Sequence, residues 1–434
     1  MKRIWRNPED YCISQDKPKD KNIELFRQKF KEKLDNKDYN FQDYCFLEKV
    51  DFSYIKFDKE VDFSRTIFQK DADFTKATFQ KDANFNEATF QKNAFFNQVI
   101  FKNAYFDKAI FQQNAVFIGS IFQSANFHEA TFRHHADFLR ATFQKDANFD
   151  ETTFQKDASF NRVIFQNVSF DKAIFQYSFF DNSKFKNCFF IEAKFKFASF
   201  YKSEFQDVFF NKSVIEQNLK FISGQVDKLN LQNTQFLFKG YMTANLAQTK
   251  FHGADMENLA FVDCDWPKKI YEEIHMKDEQ LSFKDLETVY RNLKQNMQRH
   301  GDYSKAGEFF YREMEMKRKG AEKKRDRLWF LLYYLLAGYG ERPQRTLFMS
   351  VLAVLAFALL YLVLGCLQYA AINPCFLQKI IDAFYFSFVT FTTLGLGDIR
   401  PATTMGKALI CCEAVIGAFL IALFVVVFVR KMAR

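Results

Sequence analysis

The eight cysteines include no C-x-x-C pair, and the one adjacent pair, Cys411 and Cys412, lies inside an apolar run. Reduced, structural thiols are the reading this leaves. The N-terminus, Met-Lys-Arg-Ile-Trp-Arg-Asn-Pro, has no apolar stretch of the secretory kind, so everything before the first apolar run is expected in the cytosol. There is no phosphate-binding glycine loop, no nucleophile constellation and no Rossmann-type nucleotide-binding unit. The chain therefore reads as a non-enzyme without a cofactor. Charge of one sign is also missing where it would matter for nucleic acid: residues 41–265 hold 26 Lys and Arg against 28 Asp and Glu, although the whole chain carries +9. No nucleic-acid partner is expected. Part of the excess sits at Lys317, Arg318, Lys319, Lys323, Lys324, Arg325 and Arg327, read either as a solvated helix face or as an anchor near anionic lipid headgroups.

What is present in abundance is phenylalanine, 59 in 434 residues, which points to a repeat. From Phe41 a large apolar residue recurs in steps of five or six to Phe261, making 43 units, and a small or β-branched residue stands two positions before most of them, as in Ala72-Asp73-Phe74. A period of five fits neither a strand nor a helix. A turn every five residues does fit, with the Phe and the small residue both inside a coil. The six-residue steps all follow odd-numbered units, most of them separated by multiples of four, so four sides per coil are expected. The extra residues then line two opposite corners of a square prism: Lys49, Asp71, Asn93, Asn114, His135, Asp157 and Asn218 on one, Glu60, Asp82 and Asp146 on the other. Their type suits left-handed backbone at a corner. His134 and His135 carry no metal on this reading, because no carboxylate or Cys in neighbouring units completes a ligand set.

This pattern resembles the pentapeptide-repeat family. The resemblance implies an all-β right-handed quadrilateral β-helix over 41–265, about eleven coils and roughly 50 Å long at the ~4.8 Å strand spacing. Late units drift, with Val226, Leu231, Tyr241, Leu246 and Met256 replacing Phe. In the N-terminal segment, 1–40, Ile23, Phe26, Phe30 and Leu34 at helical spacing suit a helix that caps the first coil. Residues 266–327 form a linker with an α-helical hairpin of the tetratricopeptide-like kind: Leu286, Val289, Tyr290, Leu293 and Met297, a break at His300-Gly301-Asp302, then Ala306, Phe309, Phe310 and Met314. It is either a coupling element or a passive spacer.

Residues 328–345 are apolar but too short to cross ~30 Å of hydrocarbon and are placed in the interface. Residues 346–367 and 405–429 are long and apolar enough to span, with a shorter helix at 378–391 between them. Arg342 and Arg345 precede the first span, and Arg430, Lys431 and Arg434 follow the second. Both termini are thus cytoplasmic, the intervening loop faces out, and the location is a cell membrane, read as the bacterial inner membrane.

After the short helix comes Thr392-Thr393-Leu394-Gly395-Leu396-Gly397-Asp398. Glycine at alternate positions lets successive carbonyl oxygens face one axis, where they can replace the water of a bare cation. With its flanking spans, the stretch resembles the two-transmembrane, pore-loop potassium channels, whose Thr-Val-Gly-Tyr-Gly-Asp maps onto Thr393, Leu394, Gly395, Leu396, Gly397 and Asp398. The resemblance implies a homotetramer in a lipid bilayer, with K+ as permeant ion held by the backbone of Thr393, Leu394, Gly395 and Leu396 and by the Thr393 hydroxyl. Leu396 departs from the family's Tyr; Leu also occurs there in second pore loops of two-pore-domain channels. Glu413 and Gly417 on the second span are candidate gating residues, with bracing and helix packing as the other readings. No Arg-rich span precedes the pore, so no voltage sensing is expected. Three functions stay open: a potassium channel whose repeat domain regulates, assembles or localises it through a cytosolic ligand or protein, a nonselective monovalent cation channel, and a membrane-anchored binding scaffold.

Overall fold

The computed structural model describes residues 20–368 and 375–432, with side chains from residue 27 onward apart from residue 224. It divides into two units, residues 1–281 and 282–434.

The first unit is a parallel β-solenoid of about ten turns. Each inward ring stacks on the ring four units further on: Phe106 lies 4.8 Å from Phe85 and 4.8 Å from Phe127, nearly parallel to both. Within a coil the rings of opposite sides meet edge to face, as Phe96 and Phe106 do at 88°, while adjacent rings are tilted or edge-on, Phe96 and Phe101 at 45° and Phe101 and Phe106 at 84°. The small residues are inside as well, Ala104 pairing in register with Ala125. Four sides per coil are therefore built from two ring geometries that aromatic quadrupoles favour. Where the step is five residues, one strand runs around the corner, as in Ile100–Tyr105. Where it is six, the strand splits, as into Ile67–Phe68 and Ala72–Asp73, or the register shifts, as between Thr78–Asn84 and Ile100–Tyr105.

The expectation of left-handed backbone at the extra residues is overturned. Positive φ falls instead two residues after every second ring, at Asp43, Tyr54, Arg65, Lys76, Glu87, Gln98 and Lys108, with φ of 55–60°. Phe95 and Tyr105 stand before the rings that precede Gln98 and Lys108, but at other turns an Asp or Asn holds that place: Asp62, Asp73 and Asn84 accept the N–H of Ser64, Thr75 and Asn86 at 2.9, 3.0 and 3.0 Å. There the side chain closes the turn ahead of the left-handed residue. The turn residues point outward and pair between coils, Lys172 with Glu151 at 3.1 Å and Lys212 with Glu192 at 3.3 Å. The six-residue corners tie coils together differently, Asp71 Oδ1 accepting from Asn93 N at 3.0 Å and Asp82 Oδ1 from Asn103 Nδ2 at 2.7 Å.

Among the late units Tyr241 is exposed, and Gly240 and Met242 take the inward positions. A Cβ on Gly240 would stand 3.0 Å from that of Leu219. Substitution of rings by Ile215, Leu231 and Met242, with Leu219 at a small-residue position, leaves a small apolar cavity in the core there. The Cys188 thiol is buried and burial pushes its pKa up to about 12; no disulfide occurs among the described residues. His135 Nδ1 lies 3.4 Å from Asp157, so a carboxylate does stand near it, but no group of three metal-ligating side chains forms among the described residues.

Both ends of the prism are covered. Helix α1, Asp20–Asp35, lays the Phe30 ring 5.5–5.8 Å from Phe41, Phe46 and Phe52; the side chains of Ile23 and Phe26 lie outside the described residues. At the other end α2, Tyr271–Ile274, turns the buried Glu272 onto the open strand edge. Its carboxylate accepts from the backbone N–H of Phe251 and, at 2.8 Å, of His252. Burial nevertheless pushes its pKa above the ordinary carboxyl range.

The second unit begins with the hairpin α3, Phe283–Arg299, and α4, Tyr303–Lys319. Ser282 and Asp285 form a reciprocal capping box and Asp302 caps α4, each satisfying donors the helix start leaves over. Leu286, Val289, Tyr290, Leu293 and Met297 are buried with Ala306 and Phe309. Phe310 and Met314 are only half-buried; Met316 and Glu313 take the inner face, Glu313 held by Lys294 at 2.7 Å and Arg291 at 3.2 Å.

The apolar stretch expected as one helix over 328–345 is two. Helix α5 covers Lys324–Ala337 and stops where Gly338 turns left-handed, φ 52°. Helix α6, Pro343–Leu364, starts with proline at its first turn, where the missing N–H costs nothing. It ends three residues before the expected limit at 367, because Gly365 is left-handed and Leu367–Gln368 pairs antiparallel with Arg400–Pro401. Helix α7 covers Phe376–Phe391 and α8 Thr404–Met432. By length and composition α6 and α8 can each cross a membrane.

We predict that Phe106→Ala lowers the stability of the full chain by about 3–5 kcal/mol, the range for truncating a buried ring. Lys108→Gly should raise it by up to about 1 kcal/mol by relieving left-handed strain, whereas Asn93→Gly should lower it. Denaturant unfolding followed by circular dichroism separates the three; equal signs for the two glycine variants contradict the turn assignment.

Candidate functional site

Helix α7 presents Ala383, Phe386, Ser387, Val389 and Phe391 as its buried residues, packed against α6 and α8. It ends at Thr392, whose hydroxyl donates to the Phe388 carbonyl at 2.8 Å. Just beyond, Leu394 N bonds to Val389 O at 3.0 Å. The backbone then alternates in hand: Thr393, Gly395 and Gly397 are left-handed, at φ 57°, 59° and 78°. A β-carbon is disfavoured at such φ, so glycine at 395 and 397 is what the conformation needs. The Leu394 and Leu396 side chains are 64% and 63% exposed. At the far end Arg400 Nε donates to Gly397 O at 3.2 Å. Ile399 is buried with Tyr361, Cys366, Leu367, Ala383 and Phe386.

Glu413 and Gly417 are both buried and both touch α7. Glu413 Oε2 accepts from the Tyr361 hydroxyl of α6 at 2.7 Å, and its Oε1 is hydrogen-bonded to Ser387 Oγ of α7. Ser387 Oγ also lies 2.8 Å from the Val354 carbonyl of α6. One carboxyl group thus joins three helices in a setting where an unpartnered polar group is expensive. Four residues further on, a Cβ on Gly417 would sit 2.3 Å from Phe391 O, so the close approach of α8 to the end of α7 depends on the missing side chain. Helix α8 is continuous through Gly417. Tyr361 and Ser387 were not singled out from sequence, although isolated polar groups in apolar helices are the signal that could have found them.

At the opposite ends of α6 and α8 a second cluster holds the hairpin to both. Tyr339 is wholly buried and left-handed at φ 60°, and its hydroxyl accepts from Arg318 Nε at 3.0 Å. Arg342 lies 4.2 Å from the Tyr311 ring and Arg345 4.2 Å from the Tyr334 ring. Arg430 of α8 sits 5.0 Å over Phe310 of α4 and 3.6 Å from the buried Glu341.

Comparison with known families agrees with this architecture. The family model for pentapeptide repeats (9 copies) matches residues 52–100, 96–142 and 138–184. The model described as ion channel matches residues 349–434, the part that holds most of α6, all of α7 and α8 and the alternating segment. No curated protein matches the chain.

We predict that Glu413→Ala, which leaves Tyr361 and Ser387 without their shared partner, destabilises the chain by about 2–3 kcal/mol. Glu413→Gln, which keeps an acceptor, should lose less. Thermal unfolding of the purified protein in detergent checks this, and a Glu413→Ala variant that melts with the wild type rules the node out as a brace. The chain thus combines a β-solenoid with pentapeptide repeats over residues 52–184 and an ion-channel domain over residues 349–434.

Proposed function

We propose that the protein is a tetrameric potassium channel in which residues 392–398 form the selectivity filter and the repeat domain regulates, assembles or localises the pore. The observation that carries this reading is the left-handed backbone at Thr393, Gly395 and Gly397, at the end of a short helix between two apolar helices, inside an ion-channel domain. In such a backbone the carbonyls of Thr393, Leu394, Gly395 and Leu396 and the Thr393 hydroxyl would hold a dehydrated K+. The C-terminus of α7 points its negative dipole end at the same place, which favours a cation. Four copies around one axis close the cage.

Bracing falls to Glu413, Tyr361 and Ser387, which set α7 against both spans. Leu396 leaves the segment without the hydroxyl of the family's Tyr. A nonselective monovalent cation pore is the second reading, favoured by that same Leu396. Glu413 and Gly417 are the gating candidates, since both set how closely α8 approaches α7. The spans lie in a cell membrane with both termini cytoplasmic, supported by Arg342, Arg345, Arg430 and Lys431 at one end of the two helices.

The protein reconstituted in liposomes should carry potassium current with little sodium permeation, and Leu396→Tyr should raise the potassium-to-sodium ratio. Equal permeability of the wild type to both ions selects the second reading, and absence of any ion flux overturns both. Arg430→Ala, which releases α8 from Phe310 and Glu341, should change open probability while unitary conductance stays constant; single-channel recording distinguishes the two quantities.

A further inference from the structure

Beside the hairpin an open cavity of about 420 Å³ is lined by Lys284, Glu287, Lys317, Asp326, Trp329 and Phe330, with Gly320 and Ala321 at its floor. Its acidic groups are occupied: Glu287 pairs with Arg291, and Asp326 lies 3.7 Å from Arg325. Its two lysines pair with no carboxylate among the described residues; Lys317 lies 5.7 Å over the Phe330 ring. The cavity therefore presents positive charge above an aromatic wall. Lys323, Lys324 and Arg327 add further basic residues along the same stretch of chain.

The wall belongs to α5, which is not an ordinary surface helix. Leu328, Trp329, Leu331, Leu332 and Leu335 are 36–66% exposed, and the helix leads through residues 338–342 directly into the candidate span α6. Long apolar side chains on one helix next to unpaired lysines match the two parts of an acidic lipid, acyl chain and phosphate headgroup. A soluble anion would use the lysines but leave the leucines and Trp329 in water.

We propose that this cavity binds the phosphate headgroup of an anionic membrane lipid, with Lys284 and Lys317 as the charge contacts and Trp329 and the leucines of α5 against its acyl region. The site rests on the membrane placement of α6 and α8 but not on the nature of the permeant ion. It ties the base of the hairpin, and through it Arg318 and Tyr339, to the lipid composition of the inner leaflet.

The test uses the full chain in detergent, titrated with short-chain phosphatidylglycerol, short-chain phosphatidylcholine and inorganic phosphate, with binding read from thermal stabilisation. Phosphatidylglycerol should stabilise the wild type, while Lys284→Gln/Lys317→Gln should bind it about thirty-fold more weakly, from roughly a fivefold loss per lysine near a membrane surface. Lys284→Arg/Lys317→Arg should retain binding. Both positions are on the surface, so neither pair threatens folding. Equal stabilisation by phosphatidylcholine, or unchanged binding in the glutamine pair, overturns the proposal. Equal stabilisation by inorganic phosphate replaces it with a soluble-anion site. Failure of the chain to conduct ions would leave this result untouched, so the two readings fail separately.

Discussion

Every backbone N–H and C=O that leaves water has to find a partner, and both halves of this protein are organised by how they meet that demand. In the solenoid each strand pairs with the one a full coil away, so only the two ends stay open. Helix α1 closes one with an apolar ring; α2 closes the other with Glu272, whose carboxylate takes two strand-edge donors and keeps its proton more readily for being buried. In the channel domain helices satisfy their own backbone, and the demand moves to side chains. Tyr361, Ser387 and Glu413 answer one another across three helices, and Ser387 reaches the Val354 carbonyl as well.

Much of this was legible in the sequence because the repeat states its own geometry. The spacing of Phe and of the six-residue steps contains the four-sided coil, and the ring stacks bear it out. The error over left-handed backbone has a local cause. Asn and Asp attract attention at the corners with an extra residue, yet the left-handed residues follow alternate rings whether an Asp stands just before the ring, as at Asp62 and Asp73, or an aromatic does, as at Tyr105. The strained residues themselves, Lys76 or Glu87, carry no mark in their identity, because solvent exposure lets almost any side chain sit there. Tyr241 misled for a related reason: an aromatic in register reads as core, but the choice between it and Met242 was made by Gly240, which lets two strands approach closely.

Around the site the legible part was the local motif and the illegible part was contact across helices. Gly395 and Gly397 announce unusual backbone by type. That Glu413 would meet Ser387, 26 residues away, and Tyr361, 52 away, depends on how α6, α7 and α8 pack, which no periodicity encodes in helices apolar all round. The helix break at 338–342 was hidden likewise. Tyr339 looks like one more aromatic in an interfacial stretch, but its burial under Arg318 and beside Tyr311 and Tyr334 makes it the joint between the hairpin and both spans.

The column of stacked rings also limits how such a chain can change length. Because Phe85, Phe106 and Phe127 must coincide in projection, an added or lost pentad rotates all later sides by a quarter turn and sets every outward charge column out of line. Gain or loss of a whole coil leaves the faces aligned. The repeat domain is thus free to evolve in height only by whole storeys, while its cross-section is held constant from floor to floor.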